Sequence, residues 1–350
     1  MNTKVKILDE DNLDMKIIRE AGNIIKNGGL VAFPTETVYG LGANALDPKA
    51  VEKIFKAKGR PQDNPLIIHI AEIEEMKSLV TNISSTAFKF IQNFWPGPMT
   101  VILPKSSVVP DITSASLDNV GIRMPSNIIA RELIKAARVP IAAPSANISG
   151  KPSPTDVDRC IEDLNGKVDL ILGGTICDVG VESTVIDCTV NPCCVLRPGG
   201  ITLEMLQKIE EKVYIDPAVM KKVEGNNKPK SPGMKYRHYA PNAPVKIVKG
   251  NLNKTIAKIN EMVENYIGEN KIVGIIATDE TREFYKNALI ISVGSRHNLL
   301  SVSKNLFETL RIFDDNKVDV IISEAFEEKG IGLAIMNRLN KSAGFDIIKV

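Results

Sequence analysis

Apolar residues recur with helical period from about Leu13 to Lys26, and the segment ends at Gly28-Gly29, glycines of the kind that stop helices. The next apolar run, Leu30 to Phe33, is short and stops at Pro34, so it reads as a strand. Asp47-Pro48 puts an N-cap before a proline at the first helical position, which predicts a helix from Pro48 to about Ala57 that delivers Lys58 and Arg60 at its end. Strands are predicted at Pro65 to Ile70, Met99 to Pro104, Val120 to Met124, Val139 to Ala143, Asp169 to Leu172, Ser183 to Cys188 and Cys193 to Leu196. Helices are predicted over Ser84 to Phe94, Ile128 to Ala137, Asp156 to Asn165 and Leu203 to Glu211. Strands outnumber helices and often run consecutively, which favours an α+β arrangement on a mixed, twisted sheet over a doubly wound parallel one.

Between Tyr214 and Pro244 the pattern breaks into Pro, Gly, Asn and Lys, as an interdomain linker would. Strand and helix then alternate: Val245 to Val248, a helix near Asn253 to Tyr266, Ile272 to Ala277, a short helix, Leu289 to Val293, a helix near Asn298 to Phe313, and Val318 to Ile322. That alternation predicts a small parallel α/β domain. It carries no GxGxxG, so a dinucleotide site there has no support. The expected division is a domain over 1–213, a linker over 214–244 and a second domain over 245–350.

The length of 350 residues suits two domains, and 43% hydrophobic with 25% charged residues excludes disorder as the dominant state. Lys and Arg number 44 against 42 Asp and Glu, so any anion site must be a local arrangement rather than a property of the whole surface. The five cysteines are odd in number, include the adjacent pair Cys193 and Cys194, and show no CxxC spacing, which suits a reducing compartment and gives no zinc or redox motif. No protein-ligated metal is expected. Polar residues follow Met1 and no eighteen-residue apolar run occurs, so the expectation is a cytoplasmic protein without a membrane association.

Three stretches could carry chemistry. Lys58-Gly59-Arg60-Pro61, followed by Asn64 and His69, sets two cations beside a turn; they could grip phosphate oxygens or simply complement a helix C-terminus. Pro144-Ser145-Ala146-Asn147-Ile148-Ser149-Gly150 follows an apolar strand. Such a loop can bring hydroxyls and backbone N–H groups to a nucleotide, or can be ordinary turn chemistry. Arg123 and Arg197 each end an apolar strand, where a buried guanidinium needs either a carboxylate side chain or an anionic ligand. The three histidines, His69, His238 and His297, have no recognisable metal-ligand partner. Neither HExxH, GxSxG nor a Walker lysine loop is present, so covalent hydrolases and P-loop enzymes are not indicated.

Taken in order, Gly29 through Gly42 (GLVAFPTETVYGLG), Lys58-Gly59-Arg60-Pro61, Asn64-Pro65-Leu66, Trp95-Pro96-Gly97-Pro98-Met99-Thr100, Gly121-Ile122-Arg123-Met124-Pro125 and Pro144-Ser145-Ala146-Asn147 resemble the YrdC-like domain of L-threonylcarbamoyladenylate synthases. Ser231 through Pro241 (SPGMKYRHYAP) resembles the linker of the long, two-domain form, whose second domain is a smaller, Rossmann-like parallel α/β unit. The resemblance implies condensation of L-threonine, bicarbonate or CO2 and ATP into threonylcarbamoyl-AMP and pyrophosphate, with Mg2+ accompanying ATP. It further implies that the product passes to the tRNA threonylcarbamoyltransferase complex, for modification of an adenosine beside the anticodon. By resemblance, Thr37, His69, Arg123, Ala143 and Ser183 surround threonine; Lys58, Arg60, Asn64, Asn119, Ser145, Asn147, Ser153, Arg197, His238 and Tyr239 contact ATP, with Lys58 and Arg60 catalytic. The linker, with His238 and Tyr239, then suits a lid over ATP better than a tether. Direct binding of tRNA or double-stranded RNA is a rival or additional role. A carbamoyltransferase architecture that shares the domain carries zinc-finger cysteine pairs that this chain lacks.

Overall fold

The computed structural model describes residues 2–221 and 238–350, which divide into two compact units: 2–149 with 153–219, and 150–152, 220–221 with 238–350. In the first unit the helices begin where short polar side chains satisfy free N–H groups. Asp14 accepts from Lys16 N–H ahead of Met15–Lys26, Asp47 from Lys49 N–H ahead of Pro48–Lys58, and Asn127 from Ala130 N–H ahead of Ile128–Ala137.

Eleven strands form one mixed sheet: β1 (Lys4–Ile7), β2 (Val31–Phe33), β3 (Gly40–Asn44), β4 (Ile67–His69), β5 (Met99–Pro104), β6 (Asn119–Arg123), β7 (Ile141–Ala142), β8 (Leu170–Gly173), β9 (Thr184–Asp187), β10 (Cys194–Arg197) and β11 (Tyr214–Ile215). Their order is β1-β8-β2-β3-β7-β4-β6-β5-β9-β10-β11. One apolar cluster joins Ile18 and Ile25 of the first helix to Ile129 and Leu133 of Ile128–Ala137 and to Phe33 and Leu172 of the sheet. Another gathers Leu41, Ile54, Phe90, Val101, Ile122 and Ile186. For the site, register matters most. β6 runs parallel to β4 and antiparallel to β5, so His69, Arg123 and Thr100 stand side by side on three adjacent strands.

The linker does not start where the polar composition starts. Tyr214–Ile215 pairs in parallel with β10, and the turn Pro217–Met220 buries Val219, so the sheet continues past the expected boundary at 213. The helix expected to reach Glu211 stops at Gln207. Most of the expected linker, including residues 231–237 of the family-like stretch, lies outside the described residues.

In the second unit β12 (Val245–Lys249), β13 (Val273–Ala277), β14 (Leu289–Ser292), β15 (Val320–Glu324) and β16 (Ile347–Lys349) are all parallel, in the order β14-β13-β15-β12-β16. The helices Leu252–Gly268, Leu299–Asp315 and Ile331–Ser342 connect them, and the last of these, with β16, was not expected. Among the described residues no helix is long and apolar enough to cross a membrane.

Candidate active site

The turn after β2 is built by one hydroxyl. Thr35 Oγ1 donates to Val38 O at 2.6 Å and accepts from the N–H groups of Thr37 and Val38, which fixes the intervening Glu36 and Thr37 in a buried position. Glu36 meets Arg123, whose guanidinium donates at 2.7 Å to Oε1, while Ser126 N–H donates to Oε2 at 3.2 Å. Both side chains are more than nine-tenths buried. Arg123 thus has the carboxylate partner that its place in an apolar strand requires. Its Nε is nevertheless buried without a hydrogen-bond acceptor among the described residues, so one donor of the guanidinium is left over.

His69 lies beside Arg123 in the sheet. Its Nδ1 donates to Ile67 O at 3.2 Å, which leaves Nε2 as the acceptor. Burial, reinforced by the Arg123 charge, pulls its pKa down to about 3, so the ring is neutral at physiological pH.

Gly59 closes the helix Pro48–Lys58 with φ 62°, a left-handed conformation that suits glycine, and so turns the chain to present Arg60. Lys58 is fully enclosed, and its ammonium donates to Ser145 O and Asn147 O, with Asn147 Oδ1 at 3.5 Å. Burial and, next, the neighbouring Arg60 charge hold its pKa well below the ordinary lysine value. Lys58 therefore organises the Ser145–Asn147 loop, whose Ser145 hydroxyl donates to Asn147 Oδ1 at 2.5 Å. Ala146 N–H donates to Tyr39 O at 2.8 Å and Ser149 N–H to Lys58 O at 2.9 Å, which fastens the loop to the start of β3 and to the helix end. The Arg60 guanidinium donates to Asn64 O and Pro65 O, and Asn64 Oδ1 is buried without a donor among the described residues.

The third wall comes from β9 and β10. Arg197 donates from Nε to Ser183 O at 3.0 Å and from its terminal nitrogen to Ser183 Oγ at 3.1 Å, and Ser183 Oγ lies 2.8 Å from Thr100 Oγ1. Gly199 permits this approach: a Cβ there would lie 2.3 Å from Thr184 N and 2.5 Å from Glu182 O. Ser153 donates to Glu182 at 2.6 Å. Hydroxyls, guanidinium groups and backbone carbonyls thus line a largely buried region able to bind a small carboxylate and phosphate oxygens. Among the described residues no His, Cys, Asp and Glu side chains group as metal ligands.

Two family models match the chain: one described as Telomere recombination over residues 23–199, and one described as Threonylcarbamoyl-AMP synthase, C-terminal domain, over residues 201–344. The Threonylcarbamoyl-AMP synthase of Pyrococcus abyssi is 50% identical, over 95% of this chain and 96% of its own length. The chain belongs to the threonylcarbamoyl-AMP synthase family. The Threonylcarbamoyl-AMP synthase of Bacillus subtilis is 43% identical over 100% of both chains. The crystal structure of P. abyssi Sua5 complexed with L-threonine is similar with a TM-score of 0.94 at 48% identity, covering 99% of this chain and 100% of that one. Both expected domain types, the YrdC-like one and the parallel α/β one, therefore have counterparts in this family of synthases.

Most of the residues singled out in the sequence converge within the first unit of this synthase fold: Thr37, His69 and Arg123; Lys58, Arg60, Asn64, Ser145 and Asn147; Ser153, Ser183 and Arg197. Ala143 is held beside them by its N–H donating to Ile67 O at 2.9 Å. Asn119 stands apart, at the opposite end of β6 from Arg123, in a depression shared with Asp187 and Thr189. His238 and Tyr239 belong to the second unit, where the Tyr239 ring stacks on Phe307 at 5.0 Å between centroids. Three partners escaped the sequence reading: Glu36 for Arg123, Thr100 for Ser183 and Glu182 for Ser153. The only signal for Glu36 was the requirement that Arg123 find an anion.

Proposed function

We propose that the chain is an L-threonylcarbamoyladenylate synthase, a nucleotidyltransferase that condenses L-threonine, bicarbonate or CO2 and ATP into L-threonylcarbamoyl-AMP and pyrophosphate. Arg123 carries this reading: a buried guanidinium that keeps one donor beyond its Glu36 pair, beside a neutral imidazole on the next strand, with Thr37 following Glu36 in the same buried turn. That combination suits an amino acid with a carboxylate and a hydroxyl. L-Threonine in the P. abyssi relative supports it.

Once the threonine amine has captured CO2, a carbamate oxygen attacks the α-phosphorus of ATP and pyrophosphate departs. Arg123 holds the carboxylate, while Thr37 and Ser183 offer hydroxyls and Arg60 and Arg197 offset the charge that builds on phosphate oxygens. Lys58 keeps the Ser145–Asn147 loop in place beneath the nucleotide, so its contribution is largely positioning. A Mg2+ ion accompanying the triphosphate would neutralise part of its charge. Asn119, His238 and Tyr239 are further ATP contacts expected from the family. The product carries the threonylcarbamoyl group destined for tRNA, and its transfer belongs to a separate complex.

Incubation with ATP, bicarbonate and L-threonine should yield threonylcarbamoyl-AMP by mass spectrometry, with pyrophosphate release far faster than with L-valine, which lacks the hydroxyl that the polar pocket must satisfy. No adduct, or equal release with valine, would overturn the assignment.

A further inference from the structure

We propose that Cys188 and Cys193 form a reversible dithiol–disulfide site that reacts with hydroperoxides. The sequence draws the eye to the adjacent pair Cys193 and Cys194, yet neighbours on a strand point to opposite faces. Cys194 packs with Ile102, Val185 and Leu196 on one face, whereas Cys188 and Cys193 both belong to the large cluster on the other. The register of β9 and β10 pairs Cys194 with Asp187, and its continuation sets Cys193 opposite Cys188 across the hairpin.

The backbone identifies the kind of pair. Cys188 N–H donates outward to Ile102 O on β5, and Cys193 O accepts from Tyr214 N–H on β11. Neither residue directs its backbone toward the other, so they form a non-hydrogen-bonded antiparallel pair, with Cα atoms about 4.5 Å apart in that geometry. This falls within the roughly 4.4–6.8 Å that a disulfide spans, so closure needs rotamer changes and no strand movement. The thiols are unbridged and line a cavity of about 350 Å³ with Asn82, Ser84, Thr86 and Asn191, large enough for a small peroxide.

The hydrogen bond between the thiols divides their roles. It lowers the pKa of Cys193 and, ahead of burial, raises that of Cys188, so Cys193 is the readier nucleophile and Cys188 the resolving thiol. Cys193 sulfur attacks the O–O bond of a hydroperoxide; an S–O bond forms and the alcohol leaves after taking a proton. Cys188 sulfur then attacks the resulting sulfenic acid, forming the S–S bond and releasing water. The two thiols lose two electrons, which reduce one peroxide. The link closes the end of the hairpin remote from Ser183 and Arg197, and so braces the strands that carry them without entering the site.

Reduced full-length protein treated with hydrogen peroxide, alkylated and digested should yield a peptide pair joined through Cys188 and Cys193, lighter by two hydrogens and restored by dithiothreitol. It should form at least about tenfold faster than any adduct at Cys160 and Cys177, which are more deeply buried and do not line that cavity. In Cys188→Ser, Cys193 should instead accumulate as sulfenic acid that dimedone traps. Recovery of both wild-type thiols in alkylated form, direct conversion of Cys193 to sulfinic acid, or linkage between two chains would each overturn the proposal.

Discussion

Replacing Arg123 with Met removes the guanidinium while keeping most of the stem, and leaves Glu36, 8% exposed, as a buried carboxylate facing Ser126 N–H alone. Breaking a buried ion pair from one side costs about 3–5 kcal/mol, because the remaining charge stays desolvated. Adding Glu36→Gln removes that charge while keeping an oxygen for Ser126, so the double variant should recover most of the loss. Binding should not recover. If Arg123 holds the threonine carboxylate, losing a charge-assisted bond worth about 1.5–3 kcal/mol weakens threonine roughly 10- to 150-fold in both the single and the double variant. Urea denaturation followed by tryptophan fluorescence reads the stability, since the only tryptophan, Trp95, is buried in the first unit. Calorimetric titration with threonine reads the binding. Wild-type threonine affinity in the stabilised double variant would refute the assigned role of Arg123; unaltered stability of the single variant would refute the account of the ion pair.

Arg60→Ala should cost about 2–4 kcal/mol in the rate of pyrophosphate release with little change in the urea midpoint, as expected for a donor acting on developing charge. Lys58→Ala should lose activity and stability together, the latter by about 1–3 kcal/mol, because the carbonyls of Ser145 and Asn147 lose their donor. For His69 the folded pKa of about 3 lies below the unfolded value of 6.5, so the unfolded chain gains a proton that the fold refuses. Stability should therefore fall on acidification below pH 6.5, by about 2 kcal/mol at pH 5, and His69→Gln should abolish that component of the urea midpoint's pH dependence.

Local chemistry marks the elements that the sequence reveals. Asp47-Pro48 announces a helix because capping needs only one side chain at the right offset, and Met99–Pro104 emerges as expected because its run is long enough to show. The helix Ile331–Ser342 hides for the opposite reason: Asn337, Arg338 and Asn340 are buried along with its apolar residues, so it has no polar stripe to set a period. Two-residue strands such as Tyr214–Ile215 exist only through their pairing. The same division runs through the site. The cations and the Ser145–Asn147 loop were visible as motifs, whereas the partners Glu36, Thr100 and Glu182 are brought in by tertiary contacts between segments 29 to 87 residues apart, which composition and spacing do not encode.

The ion pair of Glu36 and Arg123 joins positions 87 residues apart, and Thr3 donates to Val168 O across 165 residues. Six of the ten strand pairings in the first unit's sheet join strands that are not consecutive in the chain, and loop-closure entropy must be met before those contacts form. A nascent chain that has emerged only as far as β6 has Glu36, His69 and Arg123 but neither β8, which completes the pairing of β1 and β2, nor β9 and β10, which bring Ser183 and Arg197. Binding competence should thus arrive late in synthesis and abruptly. Until then the exposed edges of β1, β2 and β5 are surfaces for chaperones to shield.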